Sequence, residues 1–137
     1  MDRSFGGFIP LPTFTEERGS LSVVDFAEFA PFAVKRFFYI YGVPSDAVRG
    51  NHATYSPEFI ICISGGCRLR LHDGDRETAV TFSSPREGYY VPPLTWRSLD
   101  GFSKDCILLC FSDRPYSTGD LIESFTEFLA LKRGSDM

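Results

Sequence analysis

Short apolar segments alternate with turn residues along most of the chain. The apolar segments run five to nine residues and are rich in Val, Ile, Phe, Tyr and Thr: SLSVVDF, AVKRFFYIY, FIICIS, CRLRLH, TAVTFS, GYYVP, TWRSL and CILLCF. This length and composition are typical of β-strands. The Asp73-Gly74 pair between two of them indicates a tight hairpin, because glycine accepts the positive φ that such turns require. His72, next to this turn, is expected to be exposed. Many short strands at even spacing in a small chain predict an all-β sandwich or barrel.

Only the C-terminal segment has a helical pattern. Its apolar residues fall on one helical stripe, formed by Leu121, Ile122, Phe125, Phe128 and Leu129. Capping residues and an acidic first turn precede the stripe (Ser117, Thr118 and Asp120), and a stop signal follows it (Lys132, Arg133 and Gly134). The pattern predicts one amphipathic helix over about residues 119–132, packed against the sheet.

The length and charge of the chain narrow the classes of protein to consider. Its 137 residues, 43% of them hydrophobic, predict one domain over residues 1–137. The net charge of -4 and the scattered Lys and Arg residues argue against a nucleic-acid partner. No stretch approaches the roughly 18 consecutive apolar residues of a membrane span, and the N-terminus lacks the pattern of a signal peptide. We therefore expect a cytoplasmic protein that contacts no membrane.

The four cysteines, Cys62, Cys67, Cys106 and Cys110, lie in apolar segments rather than in paired CxxC turns. In a cytoplasmic chain such residues are usually small core residues with free thiols. A disulfide between the first pair and the second pair stays open from the sequence, although the expected compartment argues against it.

The segment RGNHATYSPEFIICISGG has the spacing of a metal-binding cupin motif. That motif has the form H-x-H, then a glutamate, then a glycine, and the matching residues here are His52, Thr54, Glu58 and Gly65. Arg97 stands where a second motif would supply another histidine. A threonine hydroxyl is a poor ligand for transition metals, and an arginine stays protonated. We therefore expect the cupin double-stranded β-helix, a jelly roll, with no metal and no other cofactor.

The chain resembles a narrower family, the sugar 3,4-ketoisomerases. The resemblance extends from about residue 14 to about residue 128 and is carried by RGSL, PFAVKRFFYIYGV, RGNHA, GGCRLRLHDG, GYYVPPLTW, FSKDCILLCFS and YSTGDLIESFTEF. It implies a metal-free cupin enzyme that converts dTDP-4-keto-6-deoxyglucose into the 3-keto sugar, on the way to aminodeoxy sugars of surface glycans such as the O-antigen. It also implies a homodimer in which the N-terminal strands, about residues 8–25, are exchanged.

The family reaction requires a base beside the sugar and a donor that steadies an enediolate. Histidine suits the base because its ordinary pKa lies near neutrality. The resemblance therefore assigns His52 as the base and Tyr39 as a donor or proton relay. Arg49 and Arg68 are candidates for diphosphate contacts, since a guanidinium binds phosphate oxygens in pairs. Trp96 is a candidate for stacking on the base or the sugar.

Three residues depart from the family pattern, and all three belong to the expected pocket. Thr54 replaces the second histidine of RGxHAH, Glu58 stands where glutamine is common, and Arg97 stands where an aromatic residue or histidine often follows the tryptophan. A buried carboxylate is costly unless it is paired, so Glu58 is expected to face the cavity or to pair with an arginine, for which Arg97 is the candidate. We take all three as substrate-binding candidates.

The departures leave three functions open. The first is ketoisomerase activity on a nucleotide sugar with His52 as base. The second is a related proton transfer, such as an epimerisation, in which Glu58 acts as acid, base or hydroxyl-binding group. The third is a sugar-nucleotide-binding cupin without catalysis, because Thr54 replaces a histidine.

Overall fold

The computed structural model describes residues 6–27 and 31–134. The ends of the predicted domain, residues 1–5 and 135–137, lie outside the described residues. The strands are β1 Gly7–Pro10, β2 Thr13–Glu16, β3 Gly19–Ser22, β4 Arg36–Tyr41, β5 Arg49–Thr54, β6 Glu58–Ser64, β7 Cys67–His72, β8 Glu77–Phe82, β9 Glu87–Val91, β10 Trp96–Asp100, β11 Ile107–Ser112 and β12 Leu121–Ile122. A 3-10 turn at Thr118–Asp120 precedes β12, and the helix α1 covers Phe125–Gly134.

Two five-stranded antiparallel sheets face each other. Their strand orders are β1-β9-β6-β11-β4 and β12-β5-β10-β7-β8. Neighbours along the chain thus often lie in different sheets, which is the crossing pattern of a jelly roll. The all-β cupin fold with one C-terminal helix is confirmed.

Alternating residues of the strands fill the space between the sheets. The fully buried residues include Ile60, Leu69, Val91 and Leu108, each 0% exposed. This follows from the two-residue period of a strand, which directs every second side chain to one face. The four cysteines are buried free thiols within this core, as predicted.

The C-terminal helix is shorter than predicted. Residues 119–132 are not continuously helical, because Leu121 and Ile122 instead pair as a strand with Thr54 and Ala53 of β5. The helix starts at Phe125, where the Ser124 hydroxyl accepts a hydrogen bond from the Glu127 amide. Apolar periodicity alone did not reveal this boundary, since both conformations bury Ile122. The helix itself packs Phe128 against Ala53 and Ile122.

Two predicted local features have different outcomes. The Asp73-Gly74 hairpin is confirmed: Gly74 has φ of 107°, and the Asp73 carboxylate accepts hydrogen bonds from the amides of Asp75 and Arg76. His72, which we expected to be exposed beside this turn, is half-buried, and its ring lies edge-on to that of Phe125. The reason is that α1 covers this face of β7.

The N-terminal strands divide into two parts. Strand β1 pairs with β9 of the same chain, so residues 7–10 belong to the main sheet. Strands β2 and β3 pair only with each other, and Phe14 and Leu21 on them are 66% and 59% exposed. No helix in the described part of the chain has the length and apolar character needed to cross a membrane.

Candidate active site

A backbone irregularity in β5 directs His52 into the space between the sheets. Arg97 of β10 lies opposite His52, whereas Ser98 lies opposite Gly50, so Asn51 is an extra residue in β5. Gly50 and Asn51 both have positive φ, 86° and 58°. A side chain at Gly50 would put its Cβ 3.0 Å from the Arg97 carbonyl oxygen. Such a bulge changes which side chains face the pocket, and here it requires the glycine of RGNHA.

His52 lies in the wall of a cavity of about 430 Å³ between the sheets. The cavity is also lined by residues from β4, β5, β6, β12 and the segment before β12: Arg36, Phe38, Thr54, Glu58, Tyr116, Ser117, Asp120 and Leu121. The structure thus brings together three of the residues predicted from the sequence, His52, Thr54 and Glu58. This volume and mixture of apolar and polar groups are ordinary for a small-molecule site.

The surroundings of His52 favour a neutral imidazole. Burial and the nearby Arg97 guanidinium lower the pKa of His52 from its ordinary value of 6.5. The Nδ1 atom lies 3.2 Å from the Gly50 carbonyl oxygen, which can only accept a hydrogen bond. Nδ1 therefore carries the proton, and Nε2 keeps its lone pair. The residue is equipped to act as a base at neutral pH.

Arg97 contacts Thr54 and Glu58, the other two residues that depart from the family pattern. It is 2% exposed, and its Nη2 atom donates to the Thr54 hydroxyl at 3.0 Å and to the Thr95 carbonyl oxygen at 3.1 Å. Its Nη1 atom lies 3.5 Å from Oε2 of Glu58, so the predicted pairing of these two residues is confirmed. Thr54, Glu58 and Arg97 form one contacting group, and a change at one of them alters the surroundings of the others.

A row of polar side chains crosses the opposite sheet at the level of Glu58. Ser112 of β11 lies between Arg36 of β4 and Glu58 of β6 in the strand register. The Arg36 Nε, Ser112 Oγ and Arg97 Nη1 atoms are buried without a hydrogen-bond partner among the described residues. Buried donors are normally satisfied, so three of them around one cavity indicate a site for acceptor groups of a ligand or of water.

Asp120 fixes the turn that follows β5. Its carboxylate accepts hydrogen bonds from the Ser56 amide at 3.0 Å and from the Ser56 hydroxyl, and its carbonyl oxygen accepts from the Tyr55 amide at 3.1 Å. The Thr54 hydroxyl in turn donates to the Ser56 carbonyl oxygen at 2.7 Å. The segment before β12 is thereby locked to the strand that carries His52.

Three predicted site residues lie outside the cavity. Tyr39 is on the outer face of β4, where it stacks on Tyr41 and is 57% exposed. Arg68 is on the outer face of β7 and pairs with Asp100 at 2.7 Å. Trp96 packs against Phe125 and Phe128 of α1. The structure therefore does not bring these three into the cavity, because neighbouring residues of a strand point to opposite faces, and Phe38 rather than Tyr39 lines it.

Arg49 lies beside the cavity but does not line it. It pairs with Leu99, whose side chain is in the core, so the register directs Arg49 to the concave face of the sheet. The residue is exposed at the start of β5 and does not line the cavity itself. This is a suitable place for contact with the part of a ligand that extends out of the cavity.

The sequence reasoning missed Arg36, Phe38, Ser112, Tyr116 and Asp120. Arg36 and Phe38 occur in RFFYIY, where alternation around Tyr39 could have identified them once the inner face was known. Asp120 had a signal of a different kind: it was interpreted as an acidic residue in the first turn of the expected helix. The described residues contain no group of three or more His, Cys, Asp or Glu side chains arranged to hold a metal ion.

The family model for the FdtA family, WxcM-like C-terminal, matches residues 6–133. The chain belongs to this family. The TDP-4-oxo-6-deoxy-alpha-D-glucose-3,4-oxoisomerase of Aneurinibacillus thermoaerophilus is 33% identical over 114 residues, which are 82% of this chain and 82% of the relative. The resemblance to sugar 3,4-ketoisomerases that the motifs predicted is confirmed.

Solved structures agree with this membership. A histidine-to-asparagine variant of the 3,4-ketoisomerase QdtA from Thermoanaerobacterium thermosaccharolyticum, in complex with TDP-4-keto-6-deoxyglucose, matches with a TM-score of 0.92 and 26% identity over 96% of both chains. The TDP-fucose-3,4-ketoisomerase WlaRA from Campylobacter jejuni matches with a TM-score of 0.88 and 30% identity over 96% of this chain and 98% of that one. Sugar epimerases of the same fold are more distant, at 14% identity.

Proposed function

We propose that this chain is a nucleotide-sugar 3,4-ketoisomerase that acts on a dTDP-linked 4-keto-6-deoxy sugar, with His52 as the base. The observation that carries the proposal is the neutral His52 in the cavity wall, with Nδ1 bound to Gly50 and Nε2 left to accept a proton. The family supports the substrate class, since a relative 33% identical is an oxoisomerase of TDP-4-oxo-6-deoxyglucose.

The cavity contains the base and the donor groups that the reaction requires. His52 removes the proton at C3 of the sugar and returns it at C4, and the pKa below 6.5 keeps the imidazole available at neutral pH. The guanidinium groups of Arg36 and Arg97 supply positive potential, and the Ser112 hydroxyl is a further donor, for the negative charge that develops on the sugar oxygens during proton transfer. We assign Thr54, Glu58 and Arg97 to the sugar side of the site.

Arg49 is the residue we assign to the diphosphate. It starts β5 on the concave side, exposed beside the cavity, where the nucleotide end of a bound sugar would leave the pocket. A guanidinium binds two phosphate oxygens at once. Arg68 already pairs with Asp100 on the outer face, so it is not included.

One observation favours a second candidate, a sugar-nucleotide-binding protein without catalysis. The Thr54 hydroxyl donates to Ser56 and accepts from Arg97, so it offers no proton transfer in place of the histidine that the family motif has there. An epimerase is the remaining possibility, and for it only the fold is shared at 14% identity.

One experiment separates these functions. The protein is incubated with dTDP-4-keto-6-deoxyglucose in deuterated water, and C3 and C4 are followed by NMR. Net conversion to the 3-keto sugar is expected. Deuterium uptake without conversion would favour another proton transfer, while a dTDP-dependent rise in Tm without any exchange would favour the binding protein.

We also propose a homodimer. An isolated two-stranded hairpin is marginal in water, and β2–β3 carries Phe14 and Leu21 into solvent. The outer face of the edge strand β4 adds the exposed aromatic rings of Phe37, Tyr39 and Tyr41. Because β1 pairs within its own chain, we assign the contact with the partner to residues 13–22 rather than to all of residues 8–25.

Light scattering after size exclusion tests the dimer. Leu21→Glu should convert a dimer into a monomer, because a charge would be buried at the contact. Leu131→Glu on the exposed side of α1 is the matched control and should leave the dimer intact. A wild-type monomer at micromolar concentration would overturn the proposal.

We place the protein in the cytoplasm, in a route to aminodeoxy sugars of surface glycans such as the O-antigen. Buried free thiols are typical of a reducing compartment, which supports the first part. A 3-keto sugar is the kind of carbonyl to which an amino group can be transferred, which supports the second. Cell fractionation with an antibody tests the location.

A further inference from the structure

We propose that Glu58 is the second catalytic group of this site, a proton relay between the two neighbouring oxygens of the sugar. The inference rests on the proposed ketoisomerase function and names the group that completes it. His52 alone moves the protons on carbon, but the reaction also exchanges a hydroxyl for a ketone.

The atoms that move define what the relay must do. The C3 hydrogen leaves carbon, and a hydrogen arrives at C4. At the same time the oxygen at C4 gains a proton and the oxygen at C3 loses one. A carboxyl group can do both of the last two steps, because it donates a proton from one oxygen and later accepts one. No net proton, electron or co-reactant is consumed.

Thr54 and Asp120, two other groups of the cavity wall that could carry a proton, are already engaged. The Thr54 hydroxyl donates to the Ser56 carbonyl oxygen and accepts from Arg97. The Asp120 carboxylate is held by the amide and hydroxyl of Ser56 and by Arg114 at 3.5 Å. These two residues hold the backbone together and are not available for proton transfer. Tyr116 is 68% exposed at the rim.

Glu58 contacts Arg97, but hydrogen bonds from the described residues do not occupy its carboxyl group. It lines the cavity with a side chain 12% exposed, and its Oε2 atom lies 3.5 Å from Nη1 of Arg97, a longer separation than that of a close hydrogen bond. Within the described residues its carboxyl group accepts no hydrogen bond. His52 and Glu58 come from opposite sheets, so a sugar between them would meet both groups.

Two balanced steps return both residues to their starting states. In the first, His52 takes the proton from C3 while the protonated Glu58 gives its proton to the C4 oxygen, which produces a neutral enediol. In the second, His52 returns a proton to C4 while the Glu58 carboxylate takes the proton from the C3 oxygen. Arg97 and Arg36 stabilise the carboxylate that exists between the steps.

The electrostatics of the cavity fit this cycle. Burial raises the pKa of Glu58, and the charges of Arg97 and Arg36 oppose the rise. Burial and Arg97 lower the pKa of His52. The two shifts have opposite directions: one favours a protonated carboxyl and the other a neutral imidazole, which are the states that begin the cycle.

The test compares wild type with Glu58→Gln in deuterated water, using dTDP-4-keto-6-deoxyglucose. The amide keeps the shape and can donate a hydrogen bond to the C4 oxygen, but it cannot relay a proton. We expect net isomerisation to fall at least about 100-fold, a typical contribution of acid–base catalysis, while deuterium still enters at C3. Glu77→Gln, at an exposed glutamate on β8, is the matched control and should behave as wild type.

Two results would overturn the relay. One is a Glu58→Gln variant that isomerises within about threefold of wild type, well below the usual acid–base effect. The other is a folded variant that binds dTDP yet loses deuterium uptake together with isomerisation, since Glu58 would then act before the relay step. A wild type that neither isomerises nor exchanges is a separate result, because it overturns the proposed function itself.

A wild-type measurement keeps the inference testable if the variant does not fold. The ratio of net isomerisation to deuterium uptake at C3 should fall by about tenfold per pH unit above the pKa of Glu58, because only the protonated carboxyl completes the relay. A ratio that stays constant up to alkaline pH would overturn the inference.

Discussion

The two ends of the space between the sheets differ although the same strands form both. At the closed end the interior side chains are Ile60, Cys62, Leu99 and Leu108, all within one buried cluster. At the open end the same strands continue with Glu58, Arg97 and Ser112. Two to four residues further along each of these strands, charged or polar side chains take the place of apolar ones.

The comparison shows how one core serves two purposes. The closed end excludes water and stabilises the fold through apolar burial. The open end buries charged groups and leaves donors without partners, which is costly for folding. Such an arrangement is expected where the groups are held ready for a ligand rather than for stability.

The largest expected effect comes from removing the base at the open end. His52→Asn should lower net isomerisation and deuterium uptake by at least about 100-fold, because His52 is the group that takes the C3 proton in the proposed reaction. The unfolding transition should move little. The measurement is the NMR assay described above together with Tm, and an active variant would remove His52 from the role of base.

A substitution in the apolar closed end should lower stability and leave activity unchanged. Leu108→Ala truncates a side chain that is 0% exposed, so we expect a loss of about 2–5 kcal/mol in the free energy of unfolding. Activity per folded molecule should be retained below the transition. Urea unfolding with a parallel activity assay checks this, and a stable but inactive variant would contradict the separation of the two ends.

A smaller effect is expected at the contact between Thr54 and Arg97. Thr54→Val keeps the shape of the side chain but removes the hydroxyl that Arg97 and Ser56 bind, so about 1–3 kcal/mol of stability should be lost. Thr54→Ser is the matched control and should lose less, because it keeps the hydroxyl. Equal losses in the two variants would mean that the methyl group matters more than the hydrogen bonds.

The pH dependence gives the smallest and most specific test. Because the pKa of His52 is lowered from 6.5, kcat/KM should rise with pH through an apparent value below 6.5 and should fall again only where the Glu58 carboxyl loses its proton. The base is protonated and idle below that value. A rising limb above 6.5 would mean that the environment of His52 during catalysis differs from the one described.

Much of the fold was predictable because strand signals are local. The segment CRLRLH corresponds to β7 residue for residue, and the motifs RGNHA and VPPLTW identified His52 and Arg97. Strand β5 was not predicted, since Gly50 and Asn51 interrupt its alternation with a bulge. The Leu121–Ile122 strand was taken for helix because its pairing partner is distant in sequence.

By itself the sequence determined the all-β class, the family and three chemical types at the pocket: a histidine, a carboxylate and an arginine. The carboxylate and the arginine stand where relatives often have other residues. Only the tertiary structure decided which of the candidates meet. Tyr39 and Trp96 face away while Phe38 and Arg97 face inward, a choice of strand face that depends on packing against the other sheet and α1. Arg97 contacts both Thr54 and Glu58, because β10 lies beside β5 in one sheet and faces β6 of the other.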